Sequence, residues 1–200
     1  MPVVPSVSLA QMMEKKGVDA VIAEGMESGG HIGMLTTMTL VPQVVDAVNI
    51  PVIAAGGIGD GRGVAAAFML GAAGAQMGTR FLTATESEIH PNYKAKIIKA
   101  KDIDTIVTGN ILGNRARVLK NKMAKSFVRN EVDELQKEKP DAAAMEKLES
   151  GTLRRAVQEG DKNGGAFMAG QISGLIQDEK PAADILSDIW KQATDVMGID

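Results

Sequence analysis

Residues 51–61 read "PVIAAGGIGDG", a short apolar run that passes directly into four glycines. A short run rich in β-branched residues and bounded by turn residues favours a buried β-strand. The residues that follow, "GRGVAAAFMLGA" at 61–72, have helical character. The order of strand, glycine loop and helix predicts one βα unit of a parallel sheet.

The same order repeats on both sides of this stretch. Apolar runs at 3–7, 19–24 and 75–82 are separated by helical segments at 8–17 and 36–48. Because the runs are apolar on both faces, they predict a parallel sheet whose two sides are covered. Gly17 stands directly after "MMEKK", where a glycine ends a helix.

The character of the sequence changes near residue 86. Beyond it, amphipathic and charged segments are separated by Gly and Pro signals, which predicts a mostly helical region at 87–200 next to the α/β region at 1–86. The predicted helical segments are 92–102, 114–136, 141–150, 152–160 and 181–197.

Composition excludes several classes of function. The chain has 200 residues, 44% of them hydrophobic, a net charge of -3, no cysteine and 3% aromatic residues. These values argue against nucleic-acid binding, disulfides and thiolate chemistry. The sequence shows neither a cleavable leader nor an apolar run that could span a bilayer, so we expect no membrane partner and a cytoplasmic location.

Two glycine-rich loops follow neighbouring strands. "AAGGIGDGRG" follows the third run and "AQMGTR" ends the fourth. Exposed backbone N–H groups at such places bind phosphate, as they do after the last strands of a (β/α)8 barrel. Tight turns that need a positive φ are the alternative explanation. A third such stretch, "EGMESGGHIG" at 24–33, places His31 among glycines and favours a cofactor site.

These motifs resemble a known enzyme family. "PVVPSV", "DAVIAEGMESGGHIG", "IPVIAAGGI", "QMGTRFL", "HPNYKAKI" and "MAGQISGL" are similar to the FMN-dependent enoyl-acyl-carrier-protein reductase II family, the FabK type, within the nitronate monooxygenase-like group. The resemblance implies an α/β fold that is a partial TIM (β/α)8 barrel, its last four βα units, followed by a mostly helical C-terminal segment. The first four strands of the family's barrel have no counterpart in these residues.

The resemblance also implies a site. His31 would be catalytic, and FMN would be bound by Glu24, Ser28, Gly29, Gly30, Gly56, Gly57, Gln76, Met77, Gly78 and Thr79, with NADH or NADPH as co-substrate and without a metal. Histidine suits a proton donor because its charge changes near neutral pH. The implied reaction, expected of the complete protein of which this chain resembles the C-terminal part, reduces a trans-2-enoyl-acyl-carrier-protein in fatty acid biosynthesis.

Two other functions stay open. One is a nitronate monooxygenase-like flavin oxidase, in which the same histidine would act as a base on a nitroalkane. The other is a non-catalytic half-barrel that persists by pairing with a second chain. Four strands alone would leave two free edges, so we expect low stability and poor FMN retention unless the helical segment or a second copy, as in a homodimer, covers them.

Three further positions carry weaker hypotheses. Lys122, Lys125 and Arg129 share a helix face at i, i+3 and i+7, which could attract an acidic acyl carrier protein. Arg80 could approach a phosphate or pair with a carboxylate, and both readings stay open. His90 precedes a proline, which predicts an extended turn residue before a helix.

Overall fold

The computed structural model describes residues 1–111 and 113–199. Its main sheet has four parallel strands in the order β1-β2-β4-β5. In chain order the strands are β1 Val3–Val4, β2 Val21–Glu24, β3 Gly30–His31, β4 Val52–Ala55, β5 Gly74–Gln76, β6 Thr105–Thr108 and β7 Ala116–Leu119. The predicted parallel sheet, with its strands in sequence order, is therefore confirmed, and it has the architecture of a TIM-barrel segment.

Helices cover one face of this sheet. They are α1 Val7–Lys15, α2 Thr37–Ala47 and α3 Gly61–Met69. Val4, Ala23 and Ala54 align across the sheet and lie in the core beneath these helices. The neighbouring positions in the strands point to the opposite face. There Val3 is 45% exposed and Ile53 is half-buried, whereas Ile22 between them is buried, so the predicted cover of this face holds at β2 and is incomplete at β1 and β4.

Two strands are shorter than the apolar runs that predicted them. The run at 3–7 forms a strand only at Val3–Val4, because the Ser6 hydroxyl accepts a hydrogen bond from the N–H of Leu9 and caps α1. The run at 75–82 leaves the sheet after Gln76, and Thr79–Leu82 forms the short helix α4. A local cap or turn thus overrides the apolar pattern at both places.

A second, antiparallel sheet was not predicted. It has the order β3-β7-β6, and it joins the loop after β2 to the C-terminal half of the chain. The prediction of a continuous helix at 114–136 is wrong at its start, where Ala116–Leu119 is a fully buried strand. The helix begins only after Asn121, whose side chain accepts from the N–H of Ala124 at 2.9 Å.

The rest of the C-terminal half is mostly helical, as predicted. Its elements are α5 Pro91–Ile98, α6 Lys122–Leu135, α7 Ala142–Glu149, α8 Thr152–Val157, a 3-10 turn at Gln171–Leu175 and α9 Ala182–Met197. Helix α9 packs on α3, where a side chain at Gly61 would collide with the backbone of Ala193. Ile185 and Ile189 of α9 lie in the same core as the parallel sheet. The division of the chain at residue 86 stays a prediction.

Two negative observations apply to the described residues. None of the helices found there is both long and apolar enough to cross a membrane. No group of three or more His, Cys, Asp or Glu side chains in residues 1–111 and 113–199 is arranged to hold a metal ion.

Candidate active site

A cavity of about 160 Å³ lies at the carboxyl ends of β2, β4 and β5. Strands that run parallel bring their carboxyl ends to one edge, which is why three separate loops meet there. Nine of the eleven predicted site residues line it: Glu24, Ser28, Gly29, Gly56, Gly57, Gln76, Met77, Gly78 and Thr79. The predicted convergence of the glycine loops after β4 and β5 is therefore observed.

Gly30 and His31 do not line this cavity. They form β3 of the second sheet, where His31 pairs with Ala116 and has an exposed side chain. The loop that carries His31 starts at the carboxyl end of β2, so the histidine lies at the same end of the main sheet. Ser28 and Gly29, which stand three and two residues before His31 in the chain, line the cavity, and the His31 side chain is exposed.

Seven residues that line the cavity were not predicted from the sequence. These are Glu27, Ala55, Ile58, Leu82, Met168, Gly170 and Ile172. The signal was present in "MAGQISGL" at 168–175, which carried part of the family resemblance but was given no role. Nothing local in that stretch shows that it folds back on the glycine loops. A buried hydrogen bond of 2.9 Å from the N–H of Gly170 to Thr79 Oγ1 makes that connection.

The glycines at the site differ in whether packing requires a residue without a side chain. A Cβ on Gly29 would lie 2.5 Å from the backbone of Ala169, and one on Gly56, at φ +87, would lie 2.6 Å from the carbonyl oxygen of Gly25. Both must be glycine for the chain to pack. Gly78 has an ordinary φ of -99 and would place its Cβ in open space. The packing of the described residues gives no reason for glycine at 78, which points to a ligand.

The backbone around the cavity offers donors for an anion. In the described part of the chain, no backbone carbonyl accepts a hydrogen bond from the N–H of Gly57 or Gly78. The buried Ser28 Oγ lies near the Glu24 carboxyl group but makes no hydrogen bond of full geometry with any described residue. Unsatisfied polar groups at a cavity wall are costly unless water or a ligand binds them. The site therefore suits a ligand with oxygen acceptors.

Two carboxylates line the cavity and have different surroundings. Burial raises the pKa of Glu24, while the nearby Ser28 hydroxyl and the charge of His31 partly offset the rise. Glu27 instead points at the start of α2, where it accepts from the N–H and the hydroxyl of Thr37 at 3.0 Å each. The Thr36 side chain makes no capping hydrogen bond, so the Glu27 carboxylate caps α2 instead. Its oxygens are therefore engaged by Thr37.

Arg117 holds the loop between β2 and β3. It lies on β7, is buried, and donates from Nε and Nη2 to the carbonyl oxygen of Met26 at 3.1 and 2.9 Å. Its Nη1 donates to Thr105 Oγ1 at 3.0 Å. Burial lowers the pKa of Arg117, which the charge of Glu27 partly offsets. The second sheet thus fixes the loop that carries Ser28 and His31.

The structure decides the open question about Arg80 and tests the prediction for His90. Arg80 is buried, with Nη2 2.7 Å from Asp178 Oδ1 and Nη1 2.8 Å from Thr83 Oγ1, so it pairs with a carboxylate. His90 is extended and caps α5, where its Nδ1 accepts from the N–H of Asn92 at 3.0 Å. The predicted turn role of His90 is confirmed.

The basic face of α6 is present as a surface feature. Lys122, Lys125 and Arg129 are all exposed on this helix. Glu131, on the same helix, is buried and accepts a hydrogen bond from the N–H of Ile111. Its carboxylate is turned away from solvent. Docking of an acidic carrier protein on this face stays a prediction.

Parallel βα units with glycine loops at one end, around a cavity that offers free backbone donors, define a cofactor-binding protein of the TIM-barrel type. The model of the nitronate monooxygenase family matches residues 1–192. The chain belongs to the nitronate monooxygenase family. Members of this family use FMN.

Two groups of relatives differ in their names. A probable nitronate monooxygenase of Staphylococcus saprophyticus subsp. saprophyticus is 40% identical over 96% of this chain and 56% of its own length. A structure of FabK from Thermotoga maritima is 53% identical, with a TM-score of 0.93, over 98% of this chain and 61% of that one. Nitroalkane oxidase from Streptomyces ansochromogenes is 28% identical, with a TM-score of 0.79, over 98% of this chain and 57% of that one. The chain spans just over half the length of the curated relatives it matches.

The residues present fit one end of FMN. The free N–H groups of Gly57 and Gly78 and the unpartnered Ser28 hydroxyl suit a phosphate and a ribityl chain. The cavity, at about 160 Å³, is smaller than the roughly 300–1,000 Å³ of ordinary ligand sites. The described residues therefore enclose only part of a molecule as large as FMN.

Proposed function

We propose that the protein is an FMN-dependent oxidoreductase that reduces the double bond of a trans-2-enoyl thioester carried by an acyl carrier protein, with NADH or NADPH as reductant. The observation that carries this proposal is the likeness to FabK, at 53% identity and a TM-score of 0.93. The relatives named for nitronates or nitroalkanes that are described above are less similar in sequence.

The glycine loops would hold the cofactor. Gly56, Gly57 and Met77 to Thr79 would hold the phosphate and ribityl chain, and Ser28 to Gly30 would lie against the flavin ring. When it is bound, FMN supplies the hydride that the β-carbon of the substrate receives, and the nicotinamide cofactor is oxidised in turn. The protein's part is to position the reactants and to move a proton.

His31 would supply that proton. Reduction of the double bond adds a hydride at the β-carbon and a proton at the α-carbon, so an acid is needed beside the flavin. The His31 side chain is exposed on β3, two residues beyond the cavity-lining Gly29, where a substrate can reach it. Arg117 and the β3–β7 pairing hold the backbone of the loop that carries His31.

A nitronate monooxygenase is the second candidate, favoured by the family model and the curated relatives. The same exposed histidine would then remove a proton from the carbon next to the nitro group. The two functions differ in substrate and in oxidant. They share the cofactor site, so the site alone does not distinguish them.

One pair of assays separates these functions. Purified flavin-loaded protein is tested for NADH and NADPH consumption with a crotonyl thioester, and for oxygen uptake with a nitroalkane. We expect thioester reduction. Nitroalkane turnover without thioester reduction would overturn the proposal in favour of the second candidate.

The role of His31 has a matched control in the other histidine. We expect His31→Ala to lower turnover by about 10²–10⁴ and to leave the bound flavin in place. His90→Asn keeps a side-chain acceptor for the cap of α5 and should retain activity. Full turnover in His31→Ala would remove it from the mechanism.

The carrier-protein partner has its own test. We propose that the exposed basic face of Lys122, Lys125 and Arg129 docks an acidic acyl carrier protein in the cytoplasm. Reversing these charges to Glu should raise KM for the carrier-bound substrate while KM for a short free thioester stays the same. Equal effects on both substrates would refute docking at this face.

A further inference from the structure

A second cavity, of about 430 Å³, lies between α5, the end of β7 and the start of α6. It shares no lining residue with the cavity at the glycine loops. Five lysines line it, and Asp104 is the one acidic residue among the lining residues of the described chain: Lys96, Lys99, Lys120, Lys125 and Lys162. We call it the lysine cavity. It carries a formal excess of four positive charges in a chain whose net charge is -3.

The five lysines have no carboxylate partner within ion-pair distance among the described residues. The ion pairs found there use other cations, namely Arg62, Arg80, Lys94, Lys137, Arg155 and Lys180. Like charges held close together without counter-charges repel one another. Asp104 is the one carboxylate among the described lining residues, so the lysine cavity keeps a net positive charge.

Two of the lysines are held in place by backbone carbonyls. Lys96 Nζ donates to the carbonyl oxygen of Lys120 at 2.8 Å and lies 5.3 Å from the centre of the Phe167 ring. Lys120 Nζ donates in turn to the carbonyl oxygen of Ile103. Burial lowers the pKa of Lys96, and the charge of Asp104 partly offsets this. Part of the cationic lining is thus ordered before any ligand arrives, which reduces the entropy lost on binding.

We propose that the lysine cavity binds a small organic molecule that carries at least two phosphate groups. Its charge excess matches a diphosphate better than a single phosphate. Its volume falls within the range of ligand sites, and Ala95, Ala100 and Leu119 supply apolar contact for an organic body. This site is separate from the glycine loops, and it shares only Lys125 with the basic face on which carrier-protein docking is proposed.

The probes are ADP, inorganic pyrophosphate and adenosine, titrated calorimetrically into purified protein at low salt. Saturating FMN is present throughout, so that the glycine loops are not available to the phosphates. We expect ADP and pyrophosphate to bind, with ADP tighter, and both affinities to fall as NaCl is raised. Adenosine should show no binding at the same concentrations.

The variants change Lys99 and Lys162, whose side chains make no hydrogen bond or ion pair with the described residues. Lys99→Gln/Lys162→Gln should weaken ADP binding about tenfold or more. Lys16→Gln removes an exposed charge outside the cavity and should leave ADP binding unchanged. Circular dichroism shows whether each variant is folded. The proposal is overturned if ADP does not bind, if pyrophosphate binds as tightly as ADP, or if the folded double variant binds ADP as tightly as the wild type.

Discussion

Gly78 gives the sharpest test of the glycine-loop site. Its Cβ would meet no atom within 4 Å, and its φ of -99 is accessible to any residue. Because Gly78 is the N-cap of the short helix α4, Gly78→Leu should lower the free energy of unfolding of the flavin-free protein by at most about 1 kcal/mol. A leucine side chain beside the backbone would, however, keep a phosphate away from the Gly78 N–H.

The expected loss can be estimated from that single donor. A hydrogen bond to a charged group contributes about 1.5–3 kcal/mol, which corresponds to roughly a 10- to 150-fold rise in the Kd for FMN. Flavin fluorescence titration measures the Kd, and urea unfolding of the flavin-free protein measures stability. A loss of FMN affinity that exceeds the small loss of stability supports a ligand site.

Gly17→Ala is the matched control with the opposite expected result. Gly17 ends α1 at φ +79, away from the cavity, and its Cβ would also meet open space. Alanine there costs about 1–2 kcal/mol of stability because of the left-handed backbone, while the Kd for FMN stays the same. A Gly78→Leu protein that binds FMN as tightly as the wild type would refute the assignment of this loop.

Other predictions concern the frame of the site. Arg117→Met leaves the carbonyl oxygen of Met26 without its donors, so we expect a loss of about 2–3 kcal/mol in urea unfolding; an unchanged midpoint would contradict this. Burial raises the pKa of Glu24, so the folded protein binds the proton of this carboxyl group more tightly than the unfolded chain does. The protonated carboxyl group therefore contributes fully to stability below its unfolded-state pKa, and this contribution is lost as the pH rises through its folded-state pKa. Glu24→Gln should therefore gain stability relative to the wild type between acidic and neutral pH, and a pH-independent difference would count against a raised pKa. Asp60 caps α3 through the N–H groups of Arg62 and Gly63, and Asp60→Ala should cost about 1 kcal/mol, measured by thermal unfolding.

Much of the fold could be predicted from local sequence. The apolar runs and helical segments predicted four parallel strands in order, since their periods and turn residues act over a few residues. His90 and Gly17 were interpreted correctly for the same reason. The incorrect boundaries of β1 and α6 also have local causes. The Ser6 cap shortened β1, and Asn121 started α6 later than the amphipathic pattern predicted.

The sequence by itself determined the βα order, the glycine loops and the family resemblance. Nine predicted residues came together because parallel strands end at one edge. Only the tertiary structure decided that His31 belongs to a second sheet, that Arg117 holds its loop, that Arg80 pairs with Asp178, and that 168–172 closes the cavity. These contacts join residues about 85 to 145 positions apart, and no local period or turn propensity encodes a pairing over that distance.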